Sequence, residues 1–220
     1  MKSKYLTILP LVLCAAGFQL SMLPIMAGTM SSSPTAPIVN GEDIASYGTS
    51  TGTDKWWANN NSGAGSCKGQ TFTTGAVDVV LKSITYQVAD NQTAQPTKNY
   101  TVRVGTVSGT TFSQIHSETF TQNFTWNEGE FMTWTFNTPV QLSANTVYAV
   151  DIGMTSSTSG WTTGIPYIQM SGNQYAGGKR YTIGQNGVGD TEIHFDNNRD
   201  RIFHVDLAHP MEPSPDLGAV

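Results

Sequence analysis

The chain has 220 residues, 38% of them hydrophobic and 12% charged, enough to bury one sizeable core and with no mid-chain shift in composition to mark a second domain. Lys and Arg number 11 against 16 Asp and Glu, a net charge of -5, and two of the lysines are Lys2 and Lys4, so a phosphate-backbone ligand such as nucleic acid is argued against. With 22 Gly and runs of Thr, Ser and Asn between short apolar segments, the chain lacks the Ala/Glu/Lys/Leu-rich stretches that amphipathic helices need, and it reads as all-β.

Residues 1–27, "MKSKYLTILPLVLCAAGFQLSMLPIMA", begin with two lysines, continue with an apolar run from Tyr5 to about Phe18, and offer small residues near Ala27 and Gly28, the pattern of a secretory signal peptide. A retained membrane anchor is the alternative, but Pro10 and Pro24 interrupt the run and it is short for a span. Leu13 stands where a lipobox ahead of Cys14 would carry Gly or Ala. Removal of Cys14 leaves Cys67 without a disulfide partner, so stability must come from the core. Residues 28–40 are small, polar and Pro-containing and read as a flexible leader, with the domain spanning 41–209.

From Gly41 onward several runs alternate with period two. They are Val77, Val79 and Leu81; then, after a one-residue slip, Ile84, Tyr86 and Val88; then Tyr100, Val102 and Val104. Met132, Trp134 and Phe136 follow, then Tyr148, Val150 and Ile152, and finally Phe203, Val205 and Leu207, with His204 and Asp206 facing outward. The other phase is mainly polar, so one face of each strand is expected in the core and one in water, the pattern of a two-layer antiparallel β-sandwich. The slip before Ile84 predicts a β-bulge, and "VSGT" and "NEGE" predict Gly turns.

Residues 153–180 and 184–200 are long for plain connections and carry Trp161, Tyr167, Asn173, Gln174, Tyr175, Lys179 and Arg180 among many glycines. Long loops on a β scaffold are candidate binding elements; the alternative is that their aromatics plug the ends of the sandwich or form an extra hairpin. Sugar rings stack their C–H faces on Trp and Tyr while their hydroxyls need amides, carboxylates and Arg within hydrogen-bond reach. Trp134 belongs to a core phase, whereas Trp56 and Trp57, Trp126 and Trp161 lie in polar, turn-rich contexts that suit exposure of at least one. Adjacent on an extended chain, Trp56 and Trp57 point to opposite sides.

The stretches "GQTFTTGAVDVVLKSITYQV", "PVQLSANTVYAVDIG", "YAGGKRYTIGQNGVGD" and "DRIFHVDL" together resemble secreted bacterial β-sandwich domains found with surface anchors and a carboxy-terminal PEP-CTERM signal, over about residues 55–210. The chain is also similar to jelly-roll carbohydrate-binding modules. That likeness implies a jelly-roll-like sandwich, a polysaccharide or other glycan as partner, and a structural Ca²⁺ between an N-terminal segment and the last strand, for which Glu42, Asp43 and Asp206 supply hard oxygen ligands. Solvated surface carboxylates are the other reading of these three. The tail, 210–220, resembles a PEP-CTERM signal in "MEPSP", but Met211 replaces its first Pro and neither apolar span nor basic tail follows before Val220. A degenerate or truncated anchor, and hence a soluble secreted product, is expected.

Neither resemblance carries a catalytic motif, and His116, His194, His204 and His209 show no close metal-ligand spacing. "SQIHSE" around His116 and "KRYTIGQN" around Tyr181 resemble strands of jelly-roll alginate lyases, but Arg103 stands alone where those enzymes carry an Arg-rich strand. Glu118, Glu128, Glu130, Asp190 and Glu192 are carboxylates a glycosidase could use, without a pattern that pairs them. The leading expectation is a secreted, non-catalytic carbohydrate-binding domain. The alternatives are a structural or adhesive protein associated with exopolysaccharide, and a polysaccharide lyase or glycoside hydrolase.

Overall fold

The alternating runs do form strands, and the computed structural model of the chain, which describes residues 28–55, 67–93, 100–121, 125–154, 167–183 and 190–210, contains no helix among them. In chain order the strands are β1 (Thr29–Ser33), β2 (Ile44–Ser46), β3 (Ser50–Lys55), β4 (Cys67–Thr73), β5 (Val79–Gln87), β6 (Gln92–Thr93), β7 (Tyr100–Ser108) and β8 (Thr111–Phe120). They continue with β9 (Thr125–Trp126), β10 (Phe131–Leu142), β11 (Val147–Met154), β12 (Tyr167–Gly172), β13 (Arg180–Ile183), β14 (Ile193–Asp196), β15 (Arg199–Arg201) and β16 (Phe203–Ala208). A five-stranded sheet, β1-β10-β5-β16-β2, packs on a six-stranded one, β14-β13-β4-β11-β7-β8. A three-stranded sheet, β15-β12-β3, and a β6-β9 ribbon accompany them. The chain passes from one large sheet to the other repeatedly, between β2 and β4, β4 and β5, β5 and β7, β8 and β10, β10 and β11, and β14 and β16, so the two layers of the sandwich are interleaved along the sequence.

Period-two alternation places the core between the sheets. Ile84, Tyr86, Trp134, Phe203 and Val205 from one sheet meet Phe72, Val102, Val104, Tyr148 and Val150 from the other, all buried. Val77 is a correction: β5 starts only at Val79, and Val77 sits in the preceding turn at 41% exposure. The slip is a bulge. Ser83 faces Thr135 and Asp206, but the next register pairs put Leu81 opposite Val140 and Leu207, so Lys82 is the extra residue. Gly109 and Gly129, the glycines of the two predicted turns, both have positive φ, 60° and 86°.

The expectation of one solvated face per strand fails for the six-stranded sheet. Phe112 N donates to Thr191 O (2.8 Å) and Ile193 N to Thr110 O (2.7 Å), and Thr111 bridges Glu192, so one end of β8 meets the approach to β14. The sheet therefore curls until its two edges touch, and its outer face encloses a second small core of Cys67, Phe112, Ala149, Tyr181, Ile183 and Ile193. Polar residues that alternation assigns to water, Arg103 and Asp151, are buried there as an ion pair.

Residues 28–40 are not a bare leader. β1 is an edge strand paired along its length with β10, and Met30 belongs to the main core. The two long connections carry strands of their own, β12 in the first and β14 and the start of β15 in the second. Residues 34–43 join β1 at one edge of the five-stranded sheet to β2 at the other. They must cross four strand spacings, roughly 19 Å, well within the ~33 Å such a segment can span. The result is a strap over the outer face of that sheet. Among the described residues no helix is long and apolar enough to cross a membrane.

Candidate functional site

Between strap and sheet lies a groove of ≈ 390 Å³, within the range of small-ligand sites. Its floor is the polar phase of β10, β5 and β16, where register aligns two cross-strand rows: Thr133, Thr85 and His204 in one, Thr135, Ser83 and Asp206 in the other. The floor is therefore four hydroxyls ending in an imidazole and a carboxylate. Thr85 and Thr133 share a hydrogen bond of 2.8 Å, and Lys82, thrown outward by the bulge, pairs with Asp206 at 2.8 Å. Pro37, Ile38 and Asn40 of the strap form the facing wall.

Asp43 closes the strap. One carboxylate oxygen accepts from Leu207 N (2.8 Å); the other lies 3.2 Å from His204 Nε2 and accepts from Asn40 N (2.9 Å). The second fastening is Tyr47, whose hydroxyl donates to Pro37 O (2.8 Å) and whose ring stacks on His204 and meets Phe131 edge-on. Burial, with the negative charge of Asp43 behind it, pushes the Tyr47 phenol up to about 12. His204 was expected to face water, and the strap corrects this: the residue is 4% exposed, with Nε2 held by Asp43 and Nδ1 without a partner in the structure.

Other expected site residues divide into several groups. Trp126 is corrected from candidate platform to core: it is 0% exposed, because β9 pairs with β6 and turns its ring into the main cluster, with Nε1 donating to Asp90 Oδ1 (3.4 Å). Trp56, Trp57 and Trp161 lie outside the described residues. Tyr167 pairs with Lys55 on β12, its side chain outside the described set.

Gln174 and Tyr175 belong to a loop fixed by the buried Asp200, whose Oδ2 accepts from both backbone amides at 2.8 Å. Tyr175 packs edge-on against Phe203, and its hydroxyl accepts from Thr73 N, so it braces the loop; Asn173 and Gln174 are exposed beside it. Lys179 donates to Asn197 (2.8 Å), and Arg180 pairs with Asp196, both on the β13–β14 side. None of these loop residues lines the strapped groove.

The calcium triad is not assembled. Asp43 does adjoin the last strand, but its oxygens serve Leu207, His204 and Asn40, while Asp206 serves Lys82 and Glu42 lies 3.8 Å from His209. Among the described residues no group of three or more His, Cys, Asp or Glu could hold a metal ion. Nor is the His116 and Tyr181 pair brought together: the His116 ring packs edge-on against Phe136 of β10, whereas Tyr181 is sealed in the second core. There burial and then the Asp151 charge push its phenol well up, away from service as a base. Cys67, the free buried thiol, is raised by the same two causes. Glu118, Glu130 and Asp190 accept backbone amides from Asn137, Asn127 and Thr191.

Comparison with protein-family models, with curated proteins and with solved structures finds no match. The site must therefore speak through its own chemistry. Sequence pattern alone did not single out Tyr47, Ser83, Thr85, Thr133 or Thr135. The signal available was that the outward phase of β5 and β10 near the bulge carries hydroxyls where a plain solvated face would mix in longer charged side chains.

Proposed function

We propose that this chain is a secreted, non-catalytic carbohydrate-binding β-sandwich domain and that the strapped groove is where it takes its glycan. The observation that carries this reading is the hydroxyl floor of Ser83, Thr85, Thr133 and Thr135, flanked by Asp206, Lys82 and Asn40. Hydroxyls both donate and accept, carboxylates accept and ammonium donates, so the groove offers a polyol a mixed set of partners on three neighbouring strands. Secretion is supported by the apolar, Lys-headed first 27 residues, and the resemblance to jelly-roll carbohydrate-binding modules points to the same ligand class.

The test is a binding panel of soluble and insoluble polysaccharides run on the purified chain and on the double variant Thr85→Val, Thr133→Val. Replacing both partners of one hydrogen bond by groups of the same shape is nearly neutral for folding. For the ligand, two contacts worth about 0.5–1.5 kcal/mol each disappear, an affinity loss of about fivefold to a hundredfold. Unchanged affinity in the double variant would move the site elsewhere, and no binding to any glycan would sink the proposal.

A further inference from the structure

The strap and His204 narrow the ligand class, on the assumption that the groove is a glycan site. Three observations combine. First, the strap bridges the sheet from edge to edge, so a ligand reaching Ser83 and Thr85 has to lie between strap and sheet. Second, the strap is lightly held: Ile38 is 79% exposed and Val39 is also exposed, and its side-chain fastenings to the body among the described residues are those of Asp43 and Tyr47 and a long, exposed Glu42–His209 pair at 3.8 Å. A segment with so little apolar burial opens at small cost. Third, the His204 ring lines the groove with Nε2 committed to Asp43 and Nδ1 buried without a partner, a state that costs stability until something bonds to it.

Charge adds a fourth constraint. With His204 as the neutral Nε2–H tautomer and Lys82 paired with Asp206, Asp43 leaves the groove with an excess of negative charge, on a chain of net charge -5. An acidic chain would be repelled.

We infer that the groove takes a single strand or chain end of a neutral glycan, closed in by the strap, with one sugar hydroxyl donating to His204 Nδ1. Asp43 acts as a positioning residue, because by accepting from Nε2–H it leaves Nδ1 as the acceptor. A flat crystalline polysaccharide cannot enter beneath the strap and is excluded.

The experiment uses the full chain, with soluble neutral oligosaccharides, soluble uronate oligosaccharides and an insoluble crystalline form of the bound neutral glycan. Hydrogen exchange of residues 34–43 is followed with and without ligand. His204→Gln retains an amide able to reach Asp43 and removes the Nδ1 position. Its expected affinity is about two- to tenfold weaker, one hydrogen bond's worth. Ligand should slow exchange in the strap, and neither uronates nor the crystalline form should bind comparably. Glycan binding with unchanged strap exchange, unchanged affinity in His204→Gln, or equal retention on the crystalline form would each overturn this inference while leaving carbohydrate binding standing. No binding by any glycan would remove both.

Discussion

Asp151→Asn tests whether the second core is held by its ion pair or only filled by it. Arg103 Nε and Nη2 donate to the two oxygens of Asp151 at 2.9 and 2.8 Å, Tyr181 donates to the same carboxylate at 3.1 Å, and the pair is 2% and 0% exposed. An Asn has the right shape but one acceptor oxygen, no charge, and an amide that must point at a donor. Leaving the Arg103 charge buried without its counterion costs about 3–5 kcal/mol, against a total stability of about 5–15 kcal/mol for a domain. With a urea slope of about 2 kcal/mol/M, the unfolding midpoint should fall by roughly 2 M. The triple variant Arg103→Met, Asp151→Leu, Tyr181→Phe removes charge, counterion and the stranded phenol together and should unfold near the parent midpoint or above it, as buried pairs replaced by apolar groups do. Equilibrium urea unfolding followed by Trp fluorescence gives both numbers. A single-variant midpoint indistinguishable from the parent, or a triple variant as weak as the single, would refute the electrostatic argument.

Two further outcomes follow from packing and from titration. Trp126→Ala should destabilise the fold by about 3–5 kcal/mol, as emptied aromatic core sites do, while leaving the proposed glycan binding of folded protein at the parent's level; weakened binding at unchanged stability would return Trp126 to the ligand surface. The Tyr47 phenol is raised from 10.0 to about 12, so the fold favours its neutral form. Its contribution to stability is full below pH 10 and is lost as pH rises through about 12. Between those values the parent midpoint should fall more steeply with pH than that of Tyr47→Phe, and parallel curves would show that the phenol is not held by the strap.

Strands were legible where both phases of the alternation were strong, and the runs from Ile84 to Val88, Tyr100 to Val104 and Phe203 to Leu207 all reached the core. The bulge was legible because a slip in phase is itself a local signal. Three things were not. Trp126 is a lone apolar residue among polar neighbours, and nothing periodic showed that the β6–β9 ribbon turns it inward. β1 carries one core residue, Met30, among three serines and a threonine, so its strand character comes from the partner β10 and not from its own composition. The burial of Arg103 and Asp151 depends on the meeting of β8 with the approach to β14, a contact between segments far apart in the chain. The candidate groove was hidden for the same reason: its strap, its hydroxyls and His204 come from four separate stretches that only the sheet order unites.

That sheet order also fixes when the groove can come into existence. Thr29 finds its partner in Thr135 on β10, and Ile44 finds its own in Val205, on the last strand described. A chain made from its N-terminus thus holds the strap by one end at most until β16 has been added, since Asp43 too takes its partners, His204 and Leu207, from that strand. Long-range pairings of this sort form slowly. Ligand capture would then report completed folding, with truncation ahead of Phe203 abolishing the site even though every residue of the strap is still present.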